Sequence, residues 1–291
     1  GENIFAQDMN ASYVDTLMPI IITENQNVAS ITVDNGIKLS LPETSALLWS
    51  ENQMGDVIFP EIVDGYTIDE NGDLFIQFAN DLSPGDSLVF RRLPVTNMVS
   101  TSYNGNIMLS TNGINFNRED GRKLSVASAE IFSADENYLL NDTIRFIPLT
   151  IIQDTISILI REKYGIYLQI DDNFPVVFDS SQNSVINYYS SEYHNDSLIH
   201  LSPKKIHIPI SMDIPTGDTL QLTNLRLNGF FSRFAGDSLI SLSVKHENHT
   251  SFFDSSIKGI GKPKIQGNPK IVLSGSETSI GMPYIKIWDD N

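Results

Sequence analysis

The sequence predicts an all-β chain, built as two tandem antiparallel β-sandwiches plus an extra terminal strand segment. Three observations carry that expectation. Short runs of strand formers are punctuated by Gly, Pro, Asn and Asp, with turn signals roughly every 8–12 residues. No amphipathic helix or helical crossover pattern separates the runs, which argues against a parallel sheet. One short segment occurs three times, and the two long bodies between its copies resemble each other.

The repeated segment reads Met18-Pro19-Ile20-Ile21-Ile22-Thr23-Glu24-Asn25, then Ile147-Pro148-Leu149-Thr150-Ile151-Ile152-Gln153-Asp154. It returns as Met282-Pro283-Tyr284-Ile285-Lys286-Ile287-Trp288-Asp289. In each copy a Pro opens an apolar run of strand length and a polar, mostly acidic stretch closes it. Pro19, Pro148 and Pro283 stand 129 and 135 residues apart. The lead-ins match too: Ile4-Phe5 and Tyr13-Val14-Asp15-Thr16-Leu17 precede the first copy. Ile131-Phe132 and Leu140-Asn141-Asp142-Thr143-Ile144 precede the second.

The first body begins with Ala29–Val33, a turn at Asp34-Asn35-Gly36, and Ile37–Pro42; Asn-Gly between alternating runs signals a hairpin. The second body answers with Ile158-Leu159-Ile160 and Gly165–Ile170. Leu48-Trp49 matches Val177-Phe178, and a large aromatic in equivalent places of two repeats reads as a core anchor. Tyr66–Phe78 alternates around Asn71-Gly72, with Ser202–Ile210 as its counterpart. The clearest match is Pro84-Gly85-Asp86-Ser87-Leu88 with Thr216-Gly217-Asp218-Thr219-Leu220, each a Gly-Asp turn entering an alternating strand. Asn106–Ser110 then matches Leu239–Ser243, and each body closes on a Lys-containing run, Arg122–Val126 and Ile257–Ile260. Roughly seven to nine strands in about 130 residues is the count of a β-sandwich. The expected divisions are 1–127 and 128–265 for the two sandwiches, with 266–291 as a partial third repeat, either donor strand or linker.

Composition narrows the function. The chain has 291 residues, enough for two bodies that each bury a core. Its net charge of −17 repels phosphate backbones and anionic bilayers, so nucleic acid and membrane surfaces are disfavoured partners. There is no cysteine, which excludes disulfides, thiolate metal sites and thiol catalysis. No apolar run approaches the ~20 residues that span a bilayer, so membrane insertion is not expected. No stretch reads as a signal peptide, and Gly1 fits either a mature N-terminus or a tag remnant.

The elements Ile37-Lys38-Leu39-Ser40-Leu41-Pro42, Leu48-Trp49, Pro84–Leu93 and Glu119–Leu124 resemble a family of tandem repeats. Those repeats occur in large secreted or surface proteins of environmental bacteria. The pattern is a Pro-led strand, an alternating strand ending in Pro, a Trp or Phe step, a Gly-Asp strand and a closing charged run. The second repeat departs from it, with no Pro after Ile170 and a Tyr-rich insertion near 181–200. The resemblance implies an extracellular, immunoglobulin-like sandwich at the cell surface. It implies no activity and transfers no catalytic residue.

Candidate chemistry is sparse. Gly85-Asp86-Ser87-Leu88 and Gly236-Asp237-Ser238-Leu239 spell the nucleophile motif of a lipase family, but a serine hydrolase needs a base. All five histidines lie in the second repeat, and the equivalent of Ser87 is Thr219. His246-Glu247-Asn248-His249 has a spacing of three rather than the four that a zinc helix needs. No catalytic, cofactor-binding or metal residue is therefore expected. Acidic turns at Asp69-Glu70-Asn71-Gly72-Asp73, Asp135-Glu136-Asn137, Asp171-Asp172-Asn173 and Asp289-Asp290 could offer oxygens to Ca²⁺, although acidic turns are ordinary. Tyr188, Tyr189 and Tyr193 form a patch that could stack on surface glycans, meet a protein partner or cover its own sheet.

Three copies of the segment around two bodies leave one copy without a body. A segment of about 26 residues cannot offset an ordering cost of ~1–2 kcal/mol per residue by itself. Its natural partner is another copy of the same chain, reached by strand addition, which propagates head to tail as a homopolymer unless it closes. The expected subunit interface comprises Met282, Pro283, Tyr284, Ile285, Ile287 and Trp288, with Met18, Pro19, Ile20 and Ile22. The sequence thus reads as an extracellular structural protein, a filament protomer or a length of stalk; the alternative is a carbohydrate- or protein-binding adhesin module.

Overall fold

In a computed structural model of the chain, residues 2–111, 114–189, 192–245, 247, 250–261, 264–266 and 286–288 are described. The first body opens with β1 (Asn3–Ala6), β2 (Asp15–Thr16) and β3 (Ile20–Thr23). It continues through β4 (Ile37–Ser40), β5 (Leu48–Trp49), β6 (Val63–Ile68), β7 (Leu74–Phe78), β8 (Ser87–Phe90) and β9 (Pro94–Thr96). The long pair β10 (Ser102–Thr111) and β11 (Ile114–Ala127) completes it. One face is the sheet β1-β11-β10-β4-β7-β6, and the other carries β3-β8 and β2-β9-β5. Alternation decides which side chains go in: Ile20 and Ile22 of β3 are buried while Ile21 between them is 64% exposed. They meet Leu39, Ile76, Leu88, Phe90 and Trp49 in one core. Each such residue contributes roughly 1.5–3 kcal/mol by leaving water.

The second body repeats this plan. It begins with β12 (Glu130–Phe132), β13 (Glu136–Leu139), β14 (Ile144–Ile152), β15 (Ile166–Ile170) and β16 (Val177–Phe178). A hairpin of β17 (Ser184–Tyr189) and β18 (Glu192–Ser197) follows, then β19 (Ile199–Ser202), β20 (Lys205–Ile208) and β21 (Thr219–Asn228). The last strands are β22 (Phe234–Gly236), β23 (Ile240–Val244), β24 (Phe252–Phe253) and β25 (Lys258–Gly261). The two bodies agree residue by residue at their centre. Ile22 stands opposite Leu88 in the first, and Ile151 opposite Leu220 in the second. Trp49 and Phe178 are both buried, as core anchors should be. A further hairpin, β26 (Lys264–Gln266) with β27 (Lys286–Trp288), belongs to neither body's sheets.

The lead-in to each body is parallel to its closing strand. β1 pairs with β11, Phe5 facing Val126, and β13 pairs with β25, Tyr138 facing Ile260. The first Pro-led copy is therefore consumed by the first body and the second by the second. Phe5 corresponds to Tyr138, which corrects the sequence match of Ile4-Phe5 with Ile131-Phe132. Ile131 lies on β12, a strand with no counterpart among the described residues of the first body.

One expected hairpin is absent. Ala29–Val33 forms no strand, because side-chain carboxylates capture its amides: Ser30 N and Ile31 N donate to Glu24, and Val33 N donates to Asp81. The Asn35-Gly36 turn nonetheless forms and delivers β4 between β7 and β10. Gly36 sits at φ +56°, and a Cβ there would lie 2.6 Å from the Ile76 carbonyl oxygen. Gly165 does the same in the second body, at φ +63° and 2.5 Å from the Ile208 carbonyl.

Gly36→Ala and Gly165→Ala should each cost roughly 2–4 kcal/mol in denaturant unfolding, since left-handed strain and a backbone clash add. Gly85 has φ +88° but open space around it. Gly85→Ala should cost only about 1 kcal/mol, and equal losses at all three sites would contradict this account.

Candidate functional site

The feature that stands out is the outer edge of β3. Its inner edge is satisfied by β8, with Ile20, Ile21, Ile22 and Thr23 facing Phe90, Val89, Leu88 and Ser87. No other strand pairs with it among the described residues. Antiparallel geometry sends alternate N–H and C=O groups to opposite edges, so half of those on β3 point away from β8. That edge opens onto a groove of about 660 Å³ between the two faces of the sandwich. Its apolar wall includes Ile20, Ile22, Leu39, Ile107 and Leu109, and its lip carries Glu24, Arg118, Glu119 and Asp120. An open edge beside apolar surface is a template for a further strand.

Glu24 closes one end of β3 and is buried. Burial pushes its carboxyl up, but hydrogen bonds from Ser30 Oγ and from the amides of Ile31, Asn25 and Ser30 outweigh this and hold it below the ordinary carboxylate range. Gln153 takes the same place in the second body, accepting from Ile160 N and donating to the Ile214 carbonyl.

Of the interface residues expected from sequence, Met18 and Pro19 are exposed, whereas Ile20 and Ile22 point into their own core. What β3 offers is its backbone edge. Ile287 and Trp288 lie on β27, and Met282, Pro283, Tyr284 and Ile285 fall outside the described residues. The Tyr-rich insertion is the β17–β18 hairpin, which extends the sheet through β21 and sets Tyr188 opposite Tyr193. Tyr188 is 41% exposed and lines a shallow cleft with Gly217, Asp218, Thr219 and Gln221. Tyr189 packs on the core and donates to Asp218 at 2.5 Å.

The other sequence candidates are engaged locally. Ser87 Oγ meets Thr23 Oγ1 at 2.9 Å across the β3–β8 pair, and Gly85 forms the preceding turn at φ +88°. His207 stacks on Tyr167 at 4.4 Å and contacts the Tyr164 carbonyl; His246 and His249 lie outside the described residues. Asp69 accepts from Asn71 N and Asp73 N, Asp171 from Asn173 N, and Asp135 from Ile257 N. Asp289 and Asp290 lie outside the described residues. Among the described residues, no group of three or more His, Asp or Glu side chains is placed to hold a metal ion. Among the described residues, no helix is long and apolar enough to cross a membrane.

Two polar clusters were missed in the sequence. Asp154 ties the bodies together: its carboxylate accepts from Tyr103 OH at 2.6 Å and from Ser128 N, Ile156 N and Ser157 N. Burial and this bond push the Tyr103 phenol up to about 12. Lys245 joins the same seam, donating to Asp15 and to the Ile4 carbonyl. The second cluster surrounds Lys258 on β25, which is 1% exposed and donates to Ser133 Oγ, Ser256 Oγ and the Ala134 carbonyl. Buried Asp254 takes hydrogen bonds from Ser133 and Ser256 beside it. Burial pushes the Lys258 amine below its ordinary range, against the pull of Asp254, Glu136 and Asp135. The available signal was registry: Lys258 occupies the place of Leu124, an inward position of the first body.

No protein-family model matches the chain, and no curated protein matches it. Among solved structures, the full-length major pilin SpaD from Corynebacterium diphtheriae is 10% identical over 85% of this chain and 67% of that one, at a TM-score of 0.31. The collagen adhesin CNA from S. aureus is 10% identical over 89% and 95% of the two chains, at 0.24. A structure of manganese lipoxygenase from Gaeumannomyces graminis with part of zonadhesin from Komagataella pastoris is 9% identical over 83% and 85%, at 0.27. At such TM-scores the likeness carries no argument, and the functional reading rests on the edges and cores themselves.

Lys258 also makes a pH prediction. Its folded-state pKa is depressed, so between that value and 10.5 the unfolded chain holds a proton that the folded chain has released. Its contribution to stability therefore rises with pH through that window. Lys258→Met should abolish this rising component in denaturant titrations and cost roughly 3–5 kcal/mol at neutral pH by stranding Asp254. An unchanged pH profile would refute the assignment.

Proposed function

We propose that this chain is an extracellular structural protein, the protomer of a bacterial surface filament or tandem-repeat stalk, joined head to tail through its terminal segment. The observation that carries the proposal is the β26–β27 hairpin, a strand pair that belongs to neither body's sheets. We divide the chain into sandwiches at 1–127 and 128–265, with 266–291 as the start of a third repeat. The seam supports a load-bearing role: Ala6, Ala127 and Ala129 of the connection are buried in the core of the second body. Asp154 holds the connection through the Ser128 amide and the Tyr103 phenol, and Lys245 bonds to Asp15 and the Ile4 carbonyl of the first body. A non-catalytic role accords with Ser87 being held in a strand pair, in a repeat that contains no histidine. Calcium at an acidic turn would be an accessory to such a stalk.

The second reading is an adhesin module that binds a glycan or protein at Tyr188, favoured by that ring's exposure beside a polar cleft. Loss of glycan binding by soluble monomers on Tyr188→Ala would support it.

Negative-stain microscopy and sedimentation should compare the full chain with one ending at Gly261, the last residue of β25. We expect filaments from the full chain and only monomers from the shorter one. Monodisperse monomers in both samples would overturn the filament reading.

A further inference from the structure

The second body shows what belongs in the groove beside β3. There the Pro-led strand β14 has two neighbours. β21 occupies the edge equivalent to that filled by β8, and β12 occupies the other, with Glu130, Ile131 and Phe132 facing Ile152, Ile151 and Thr150. Ile131 is fully buried, and Phe132 reaches across to Phe252 on the opposite face, ring centroids 6.3 Å apart. β12 therefore lies where the first body has only its groove. It follows directly on β11, the last strand of the first body, with two residues between them.

The same place in the chain recurs once more. Two residues after β25, the last strand of the second body, comes β26, and Lys264-Ile265-Gln266 aligns with Glu130-Ile131-Phe132. β26 pairs with β27 antiparallel, as β12 pairs with β14, with Ile265 facing Ile287; counted from the opening Pro, Ile287 is the equivalent of Ile152, one place beyond the Ile151 that Ile131 faces. The tail hairpin thus repeats the antiparallel order of β12 and β14 in a register shifted by one residue.

We propose that β26 leaves β27 and enters the groove of the first body of a second copy, antiparallel to β3. The register is that of β12 on β14: Lys264 opposite Thr23, Ile265 opposite Ile22, and Gln266 opposite Ile21. This rests on the head-to-tail reading and names its acceptor. Charge fits the exchange. Between Gly259 and Ser276 the chain carries three lysines and no Asp or Glu, in a molecule of net charge −17. The groove lip presents Glu24, Glu119 and Asp120 against Arg118. Within one chain Glu130 lies next to neutral Gln153; between copies Lys264 would lie next to Glu24 instead. The swap exchanges one antiparallel pairing for another, so its gain comes from filling the apolar groove and from this charge match.

The chain contains no cysteine, so paired cysteines test the register directly. Residues directly opposite in an antiparallel pair have Cα atoms about 4.5–5.5 Å apart, within disulfide reach. Full chains carrying Ile21→Cys with Gln266→Cys, allowed to assemble and then oxidised, should give a ladder of covalent multimers on non-reducing gels. Either single variant should stop at dimers. Gln266→Cys with Lys286→Cys should instead close within one chain, stay monomeric and regain assembly on reduction, because Gln266 and Lys286 face each other in the free hairpin. Filaments without a ladder, or filaments from the oxidised hairpin variant, would overturn this acceptor while leaving the head-to-tail reading intact. No filaments from any chain would overturn that reading as well.

Discussion

Everything in this chain depends on satisfying both edges of the Pro-led strand. Its inner edge goes to the Gly-Asp strand, β8 or β21, and the facing pairs Ile22–Leu88 and Ile151–Leu220 seat it on the core. Its outer edge is paired in the second body and open, among the described residues, in the first. In the second body the partner is β12, which runs on directly from the last strand of the first. A sheet edge left bare beside apolar side chains is a template for a further strand. The joint between bodies and the completion of a body are one event.

That coupling explains the seam. A strand that crosses from one sandwich into the next must leave little slack, and only Ser128 and Ala129 separate β11 from β12. Both are buried, and the Ser128 amide is held by Asp154, the residue that also receives the Tyr103 phenol. The connection is a packed wedge rather than a linker. The basic stretch that follows Lys258 stands out in so acidic a molecule. In the proposed exchange, opposite charges on β26 and the groove would steer encounter and discourage wrong pairings, more strongly at low salt.

Much of this was legible in the sequence, because repeated patterns report repeated packing. The Pro-led segments, the Gly-Asp strands and the paired Trp49 and Phe178 all fell where alternation and spacing placed them. The Asn71-Gly72 hairpin formed as read, since its arms Tyr66–Ile68 and Leu74–Phe78 alternate over a common core. Ala29–Val33 looked like a strand but did not become one, because the Glu24 and Asp81 carboxylates took its amides. Nothing local announces such a capture. The groove was hidden for a different reason: Leu39, Ile107 and Leu109 look like any inward residues, and the open edge shows only in the order of strands among the described residues. Lys258 was readable only by aligning the closing strands, where a charge sits in an apolar register.

The most direct measurement is amide hydrogen exchange on the segment Ile20–Thr23, in dilute monomer and after assembly of the full chain. The account predicts that the amides facing away from β8 exchange quickly in the monomer and become protected on assembly, in step with those of Lys264–Gln266. Assembled material in which the segment exchanges as fast as in the monomer would show that the outer edge of β3 stays bare, and would contradict the account.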